Sequence, residues 1–148
     1  MHITDALIGE HGVLHLLVEQ LDDAAERRGT VAELRAAAEP IAIAILAHHR
    51  AEEETLLAPY ERQKGSLGPL KCLRHEHQIL DGMIRGLFVT DGLDETRGRV
   101  RQLVDHVRRH FAREEQLLFA HVREALPATD LEHLGAHWAE FRGVSLPK

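Results

Sequence analysis

The sequence predicts an all-α protein, an antiparallel up-down four-helix bundle followed by an additional short C-terminal helix. The composition is 44% hydrophobic but only 4% aromatic, and it is rich in Leu, Ala, Glu and Arg, which favour helices. Apolar residues recur at helical spacing over four long stretches that glycine and proline separate. Short connections favour antiparallel neighbours, and no run alternates strictly enough to indicate a strand.

The first two predicted helices are bounded by capping residues. Thr4 can cap the first helix, and Gly29 stands where a C′ glycine would end it. Thr30 opens a capping-box pattern at the start of the second helix, which is expected to end near Pro59. Pro40 interrupts this stretch, so we expect a kink or a separate short turn before it.

The third and fourth helices follow a loop at residues 65–69. Pro69 suits the first turn of the third helix, which is expected to reach about Phe88. The fourth helix is expected to run from about Asp94 to Leu126, where a proline follows.

The fifth helix is expected over about 129–142, because Thr129 opens a second capping-box pattern before an apolar stripe. The four-helix part then covers about residues 4–126. We expect residues 1–148 to form a single domain, since 148 residues is an ordinary domain length.

Composition also excludes several classes of partner. The net charge is -6 with an isoelectric point near 6.0, and basic residues are interspersed with acidic ones, which argues against nucleic acid. The sequence contains no apolar run of membrane-spanning length and no leader-like start, so we expect a soluble, cytoplasmic protein without membrane contact. A single cysteine, Cys72, excludes an intramolecular disulfide and a thiolate zinc cluster.

Twelve histidines are the unusual feature of this sequence. Successive residues on a helix are about 100° apart, so a helical wheel shows which polar residues share the apolar arc. Each of the four long helices is predicted to point one histidine inward, and the second and fourth also point a glutamate inward four residues later. These predicted inward residues are His11, His49, Glu53, His77, His110 and Glu114.

The wheel also discriminates between neighbouring histidines. His75 falls opposite the apolar arc of its helix, and His48 lies well to one side of His49. We therefore expect His77 and His49 to face the core. The segment after His49 resembles the segment after His110, which predicts two similar helical hairpins.

The predicted convergence of imidazoles and carboxylates indicates a metal site. Burying such groups without partners costs several kcal/mol, and no Lys or Arg is placed inside to neutralise them. A His and a Glu four residues apart are neighbours on one helix face and can meet one ion or two adjacent ions. Imidazole suits iron, and a carboxylate can bridge two metals. Any single histidine could instead be a hydrogen-bonded core residue, but this alternative does not explain all six donors together.

The order of these elements resembles the hemerythrin family, specifically its HHE cation-binding branch. Histidine on the first and third helices, His-x-x-x-Glu on the second and fourth, and Glu-Glu-x-Leu-Leu after His49 and His110 carry the resemblance. It covers about residues 4–126. It implies that the four histidines are terminal iron ligands and that Glu53 and Glu114 bridge two iron ions, together with an oxo or hydroxo group.

The sequence departs from the oxygen-carrying hemerythrins at two places. Those proteins place two histidines one turn apart on the third helix, whereas here the third helix has His77 and Asp81. They also place an aspartate on the fourth helix, where this chain has Glu114. His15, one turn after His11, is therefore an additional candidate ligand, with a supporting or core role equally open. Asp81 is expected to support a ligand.

The resemblance implies a non-haem di-iron protein that binds oxygen, nitric oxide or peroxide for sensing, iron handling or oxidative and nitrosative protection. One alternative is an enzyme that turns over peroxide or nitric oxide, which one imidazole fewer than in the carriers favours. Another is a helical interaction module with a structural metal or none. The ferritin-like Glu-x-x-His and zincin His-Glu-x-x-His patterns do not occur. Homo-oligomer formation stays open.

Overall fold

The computed structural model describes residues 1–27, 29–65 and 68–145, and every regular element in these ranges is helical, as predicted. We label five helices, two of which contain a π-helical turn. Helix α1 is Ile3–Arg27; α2 is Val31–Glu52, continuing through the π-helical turn Glu53–Leu57 into Ala58–Lys64; α3 is Gly68–Leu87; α4 is Leu93–Arg113, continuing through the π-helical turn Glu114–Leu118 into Phe119–Ala125; and α5 is Ala128–Arg142.

The predicted N-cap residue is confirmed at one of three helices. At α2, the backbone N–H of Glu33 donates to Thr30 Oγ1 at 3.2 Å, so Thr30 is confirmed as the N-cap. The Glu33 carboxylate accepts from the Thr30 hydroxyl at 3.0 Å. Thr4 was wrongly predicted to cap α1: it lies inside the first turn, buried, and its Oγ1 accepts from Arg123 Nε. Thr129 was also wrongly assigned, because α5 begins one residue earlier.

Neither proline ends or divides α2 as predicted. The α-helix continues through Pro40, which is exposed, as is Ala36 one turn earlier, so water can reach the carbonyl that lacks its helical partner. Pro59 lies directly after the π-helical turn, where the regular hydrogen-bond ladder is already interrupted. The helix therefore ends at Lys64, before Gly65 with φ of 86°.

The remaining boundaries agree with the predicted ones within about one residue. Helix α3 begins at Gly68, and residues 66 and 67 of the predicted loop lie outside the described residues. Helix α4 with its continuation ends at Ala125. Within the described ranges, no helix combines the length and apolar composition that a bilayer span requires.

Two apolar clusters form the core. The first includes Leu14, Ile45, Leu80, Val107 and Phe111. The second includes Leu7, Leu56, Leu73, Leu118 and Phe119. Along each of the helices α1 to α4, buried polar residues fall between the members of one cluster and the members of the other. The fold thus holds a polar layer between two apolar ones.

Candidate metal centre

Seven buried histidine and glutamate side chains from α1, α2, α3 and α4 make up this polar layer. None of the seven residues is more than 7% exposed. They are His11, His48, His49, Glu52, His77, His110 and Glu114. Their nitrogen and oxygen atoms form three overlapping groups, and the ligand atoms within each group lie within 4.8 Å of one another.

The first group consists of the imidazoles of His49, His77 and His110. The His49 and His77 rings stack at 4.1 Å between centroids with an interplanar angle of 13°, and His110 lies edge-on to both. Burial lowers the pKa of His49 to about 2, and the neighbouring imidazoles of His77 and His110 add to this effect. His49 is therefore neutral at physiological pH and offers a lone pair.

The second group consists of His11, His48 and Glu114. The Nε2 atom of His11 is 3.1 Å from His48 Nε2 and 3.1 Å from Glu114 Oε2. Burial lowers the pKa of His11, but the adjacent carboxylates of Glu114 and Glu115 outweigh burial, so the pKa is raised overall. The three side chains therefore place two imidazoles and a carboxylate oxygen at one point.

The third group joins the other two through carboxylates of Glu52 and Glu114. Glu114 Oε1 lies 3.0 Å from His110 Nε2 and 3.4 Å from His77 Nε2, while its Oε2 faces His11. Burial raises the pKa of Glu52, and the charge of Glu114 raises it further. Burial also acts to raise the pKa of Glu114, but the three adjacent imidazoles of His11, His110 and His77 hold it well below its ordinary value. The two oxygens of Glu114 thus serve different imidazole groups.

Four of the five imidazoles turn Nδ1 towards a second carboxylate. These pairs are His11 with Glu115 at 2.8 Å, His48 with Glu10 at 2.6 Å, His49 with Asp81 at 2.9 Å and His110 with Glu76 at 3.2 Å. Burial raises the pKa of Glu10, but hydrogen bonds from His48 and Arg142 lower it to about 2, so this carboxylate is ionised at neutral pH. A carboxylate at Nδ1 fixes the proton there and leaves the Nε2 lone pair for a ligand role.

Several buried atoms of the layer have no hydrogen-bond partner in the part of the chain that the structure describes. They are Nε2 of His49 and His110, both oxygens of Glu52, and Oε2 of Glu114. The last of these lies 3.1 Å from His11 Nε2 without a hydrogen bond to it. Each unsatisfied group costs about 1–3 kcal/mol.

A transition-metal cation fits these residues. Imidazole nitrogens and carboxylate oxygens bind iron and zinc. Two atoms about 2.1 Å from one cation and at right angles are about 3 Å apart, which matches the 3.0 and 3.1 Å separations around Glu114. A cation would also satisfy the unpartnered atoms.

Five of the six predicted inward residues come together in this layer, but Glu53 does not. Its carboxylate accepts from Arg74 through Nε at 2.8 Å and Nη2 at 2.9 Å, and its side chain is 38% exposed. The prediction that Glu53 faces the core was therefore wrong, and Glu52 occupies that place.

His15, the additional candidate, lies outside the three groups. It is half-buried and packs edge-on against the ring of Phe111 at 5.3 Å between centroids. Asp81, expected to support a ligand, accepts from His49.

Sequence reasoning missed His48 and Glu52. The sequence offers them as an alternative, because these residues are also four positions apart and form a second His-x-x-x-Glu pair. The predicted arc was centred on His49 and Glu53 and was therefore rotated too far, since Glu53 is partly exposed. An arc centred on Ile41 and Ile45, which are buried, passes between the two adjacent histidines and directly over Glu52.

The π-helical turns explain why the arc was misplaced. Each turn inserts one extra residue, which shifts the phase of the following residues by about 100°. On a regular helix Leu117 would share the arc of His110, but it is 65% exposed, whereas Leu118 is 8% exposed. In α2, Leu56 and Leu57 lie inside the turn and are both fully buried, so they do not mark the buried face of the residues before it.

Among the cavities that reach the layer from outside, two differ clearly in their lining. One is polar and is lined by His49, Glu53, Arg74, His77 and Asp81, among others. The other is apolar and reaches Glu114; its lining includes Leu70, Leu73, Leu117 and Leu118. A small molecule can therefore approach the buried groups from two sides.

Comparison with known families supports a cation site. A sequence profile described as the hemerythrin HHE cation binding domain matches residues 2–122. Comparisons with curated proteins and with solved structures give no significant match. The matched range contains all seven side chains of the polar layer and ends before α5. The chain belongs to the hemerythrin HHE cation-binding domain family.

Proposed function

We propose that this protein is a non-haem di-iron protein that binds oxygen or a related small oxidant. One observation carries the proposal: the two oxygens of Glu114 face two different imidazole groups, with the carboxylate of Glu52 beside them. A carboxylate shared in this way is the arrangement expected between two adjacent cations.

The proposed ligands differ from the predicted ones at one helix. His49, His77 and His110 would hold one ion, His11 and His48 would hold the other, and Glu52 and Glu114 would lie between them. Glu53 and His15 are not in this set, because neither belongs to a group of converging donor atoms.

Two ferrous ions would supply the electrons that a small oxidant takes up reversibly. The chain itself supplies position and environment. The carboxylates at the Nδ1 atoms hold the imidazoles in place, and the apolar clusters on both sides keep bulk water away from the centre. The apolar cavity that reaches Glu114 suits a small uncharged molecule such as oxygen or nitric oxide.

The enzyme alternative loses its argument from the sequence. That argument counted four imidazoles, one fewer than in the oxygen carriers, and inferred more open coordination. With His48, five imidazoles face the centre. We therefore favour reversible binding for sensing, iron handling or protection over turnover of peroxide or nitric oxide.

The helices α1 to α4 form an antiparallel up-down bundle in this proposal. The order of the two apolar clusters along the chain supports it, since α1 and α3 pass from the second cluster to the first and α2 and α4 return. We take the whole chain as one domain with α5 attached. A cytoplasmic location remains part of the proposal and accords with the lone, exposed thiol of Cys72.

Anaerobic loading with ferrous iron, followed by exposure to air, tests the function. Two irons per chain and a reversible change in visible absorption on cycling between oxygen and argon are expected. Tight binding of zinc without uptake of iron would refute it. Iron binding without any response to oxygen, nitric oxide or peroxide would favour a structural metal in an interaction module.

A further inference from the structure

Glu10 of α1 accepts hydrogen bonds from side chains of two other helices. His48 Nδ1 of α2 donates to its Oε2 at 2.6 Å. From α5, Trp138 Nε1 donates to Oε1 at 2.8 Å, and Arg142 donates through Nε to Oε1 and through Nη2 to Oε2, both at 2.7 Å. Both carboxylate oxygens are engaged, so α5 fixes the plane and position of this carboxylate.

The imidazole of His48 lies between Glu10 and the centre. His48 is fully buried. Its Nδ1 faces Glu10, and its Nε2 lies 3.1 Å from His11 Nε2. Since Glu10 and His11 are consecutive, one turn of α1 determines the surroundings of both ring nitrogens. A displaced carboxylate would free the ring to turn or to exchange its tautomer.

Helix α5 is docked closely enough to hold Glu10. Gly135 is buried against the N-terminal segment, and a Cβ at this position would overlap the carbonyl oxygen of Met1. Leu131, on the same face, is buried in the second apolar cluster. Trp138 and Arg142, one and two turns further along α5, therefore reach Glu10 from a fixed backbone.

Another imidazole partner is held by a helix of the polar layer and not by α5. Glu76, which faces His110, is paired with Arg113 of α4, the helix that carries His110 itself. The match to the family profile ends at residue 122, before α5 begins. A helix beyond the family match thus contacts the support of one candidate ligand.

We propose that Trp138 and Arg142 act through Glu10 as positioning residues for His48, which makes helix α5 part of the second cation site. This inference rests on the proposed function, because that function assigns His48 as a ligand. Its first test needs no cation.

The first test is the tautomer of His48 in the metal-free protein, measured by nitrogen-15 NMR of labelled histidine. The wild type should show a single form with the proton on Nδ1. The double substitution Trp138→Phe with Arg142→Met should give exchange between tautomers at His48. Using Arg142→Lys in place of Arg142→Met keeps a donor at this position and should restore the single form. An unchanged His48 signal in the double variant overturns the inference.

The second test is ferrous iron affinity at equilibrium under argon. The double variant, and Glu10→Ala, should weaken binding of one iron about 10- to 100-fold while leaving the other unchanged. Arg101→Met is the matched control, because it removes an exposed pair between α4 and Glu26 of α1. Equal weakening of both irons, or none, overturns the inference. Trp138→Phe alone keeps the aromatic packing and provides the same readout, smaller in size, if the double variant fails to fold. A wild type that binds no iron would refute the proposed function alone.

Discussion

Replacing Glu52 and Glu53 by alanine, one at a time, should separate a buried cation ligand from its exposed neighbour. Glu52 is fully buried, and neither of its oxygens has a hydrogen-bond partner among the described residues. Glu53 is bound by Arg74 and partly exposed. Only the Glu52→Ala substitution should impair cation binding.

The magnitude follows from binding linkage. For a single site, free cation at 100 times the dissociation constant stabilises the folded state by about 2.7 kcal/mol. In a chain of this length that corresponds to a rise in melting temperature of about 5 to 11 °C. If loss of a ligand weakens binding about 100-fold, the same cation concentration stabilises the folded state by only about 0.4 kcal/mol. The melting temperature then rises by only about 1 to 2 °C.

Thermal unfolding with and without ferrous iron under argon measures this difference within each variant. The comparison of each variant with itself removes the effect of the cavity that Glu52→Ala creates. Wild type and Glu53→Ala should shift alike, and Glu52→Ala should barely shift. Loss of the shift in Glu53→Ala with retention in Glu52→Ala would refute the assignment of the buried carboxylate.

Three further predictions concern the same centre and its support. His77→Ala should lower the iron content per chain by metal analysis, whereas His75→Ala, an exposed neighbour on α3, should leave it unchanged; equal losses would contradict the facing of α3. Burial acts to lower the pKa of His77, but the adjacent carboxylates of Glu114 and Glu52 favour its protonated form and raise the pKa from 6.5 to about 9. The stabilisation from its protonated form is thus complete below pH 6.5 and disappears as the pH rises through 9. The melting temperature of the metal-free protein should therefore fall over this window while iron affinity rises. The control is His77→Ala, whose melting temperature should fall less, with a remainder from His11, whose pKa is also raised. Thr30→Ala should remove the cap of α2 and destabilise the protein by about 1 kcal/mol, or about 2 to 4 °C, without changing the iron-induced shift; a reduced iron-induced shift would refute a purely local effect.

The helices could be predicted from local signals because their boundaries depend on neighbouring residues. Thr30 caps α2 through a contact three residues away, and the proline and glycine positions limit the other helices to within about one residue. Pro40 shows the limit of this reasoning: its effect depends on whether water reaches the carbonyl one turn earlier, which is a matter of exposure in the folded chain.

The sequence also predicted that histidines and carboxylates from four helices meet in the core. His11, His77 and His110 lie in regular helix and share the arcs of nearby apolar residues, and Glu114 follows His110 by one turn. The spacing of residues along an α-helix suffices for this because its phase is fixed by about 100° per residue.

Only the tertiary structure decided which of two adjacent glutamates is buried and what holds the imidazoles. Glu52 and Glu53 differ by about 100° in direction. The buried residues that follow them, Leu56 and Leu57, lie in the π-helical turn that begins at Glu53, so they do not mark the same arc as Ile41 and Ile45. The contact of Glu10 with Trp138 and Arg142 joins residues that are more than a hundred positions apart. No local pattern encodes such a contact, because it forms only when α5 packs against α1 and brings the three side chains together.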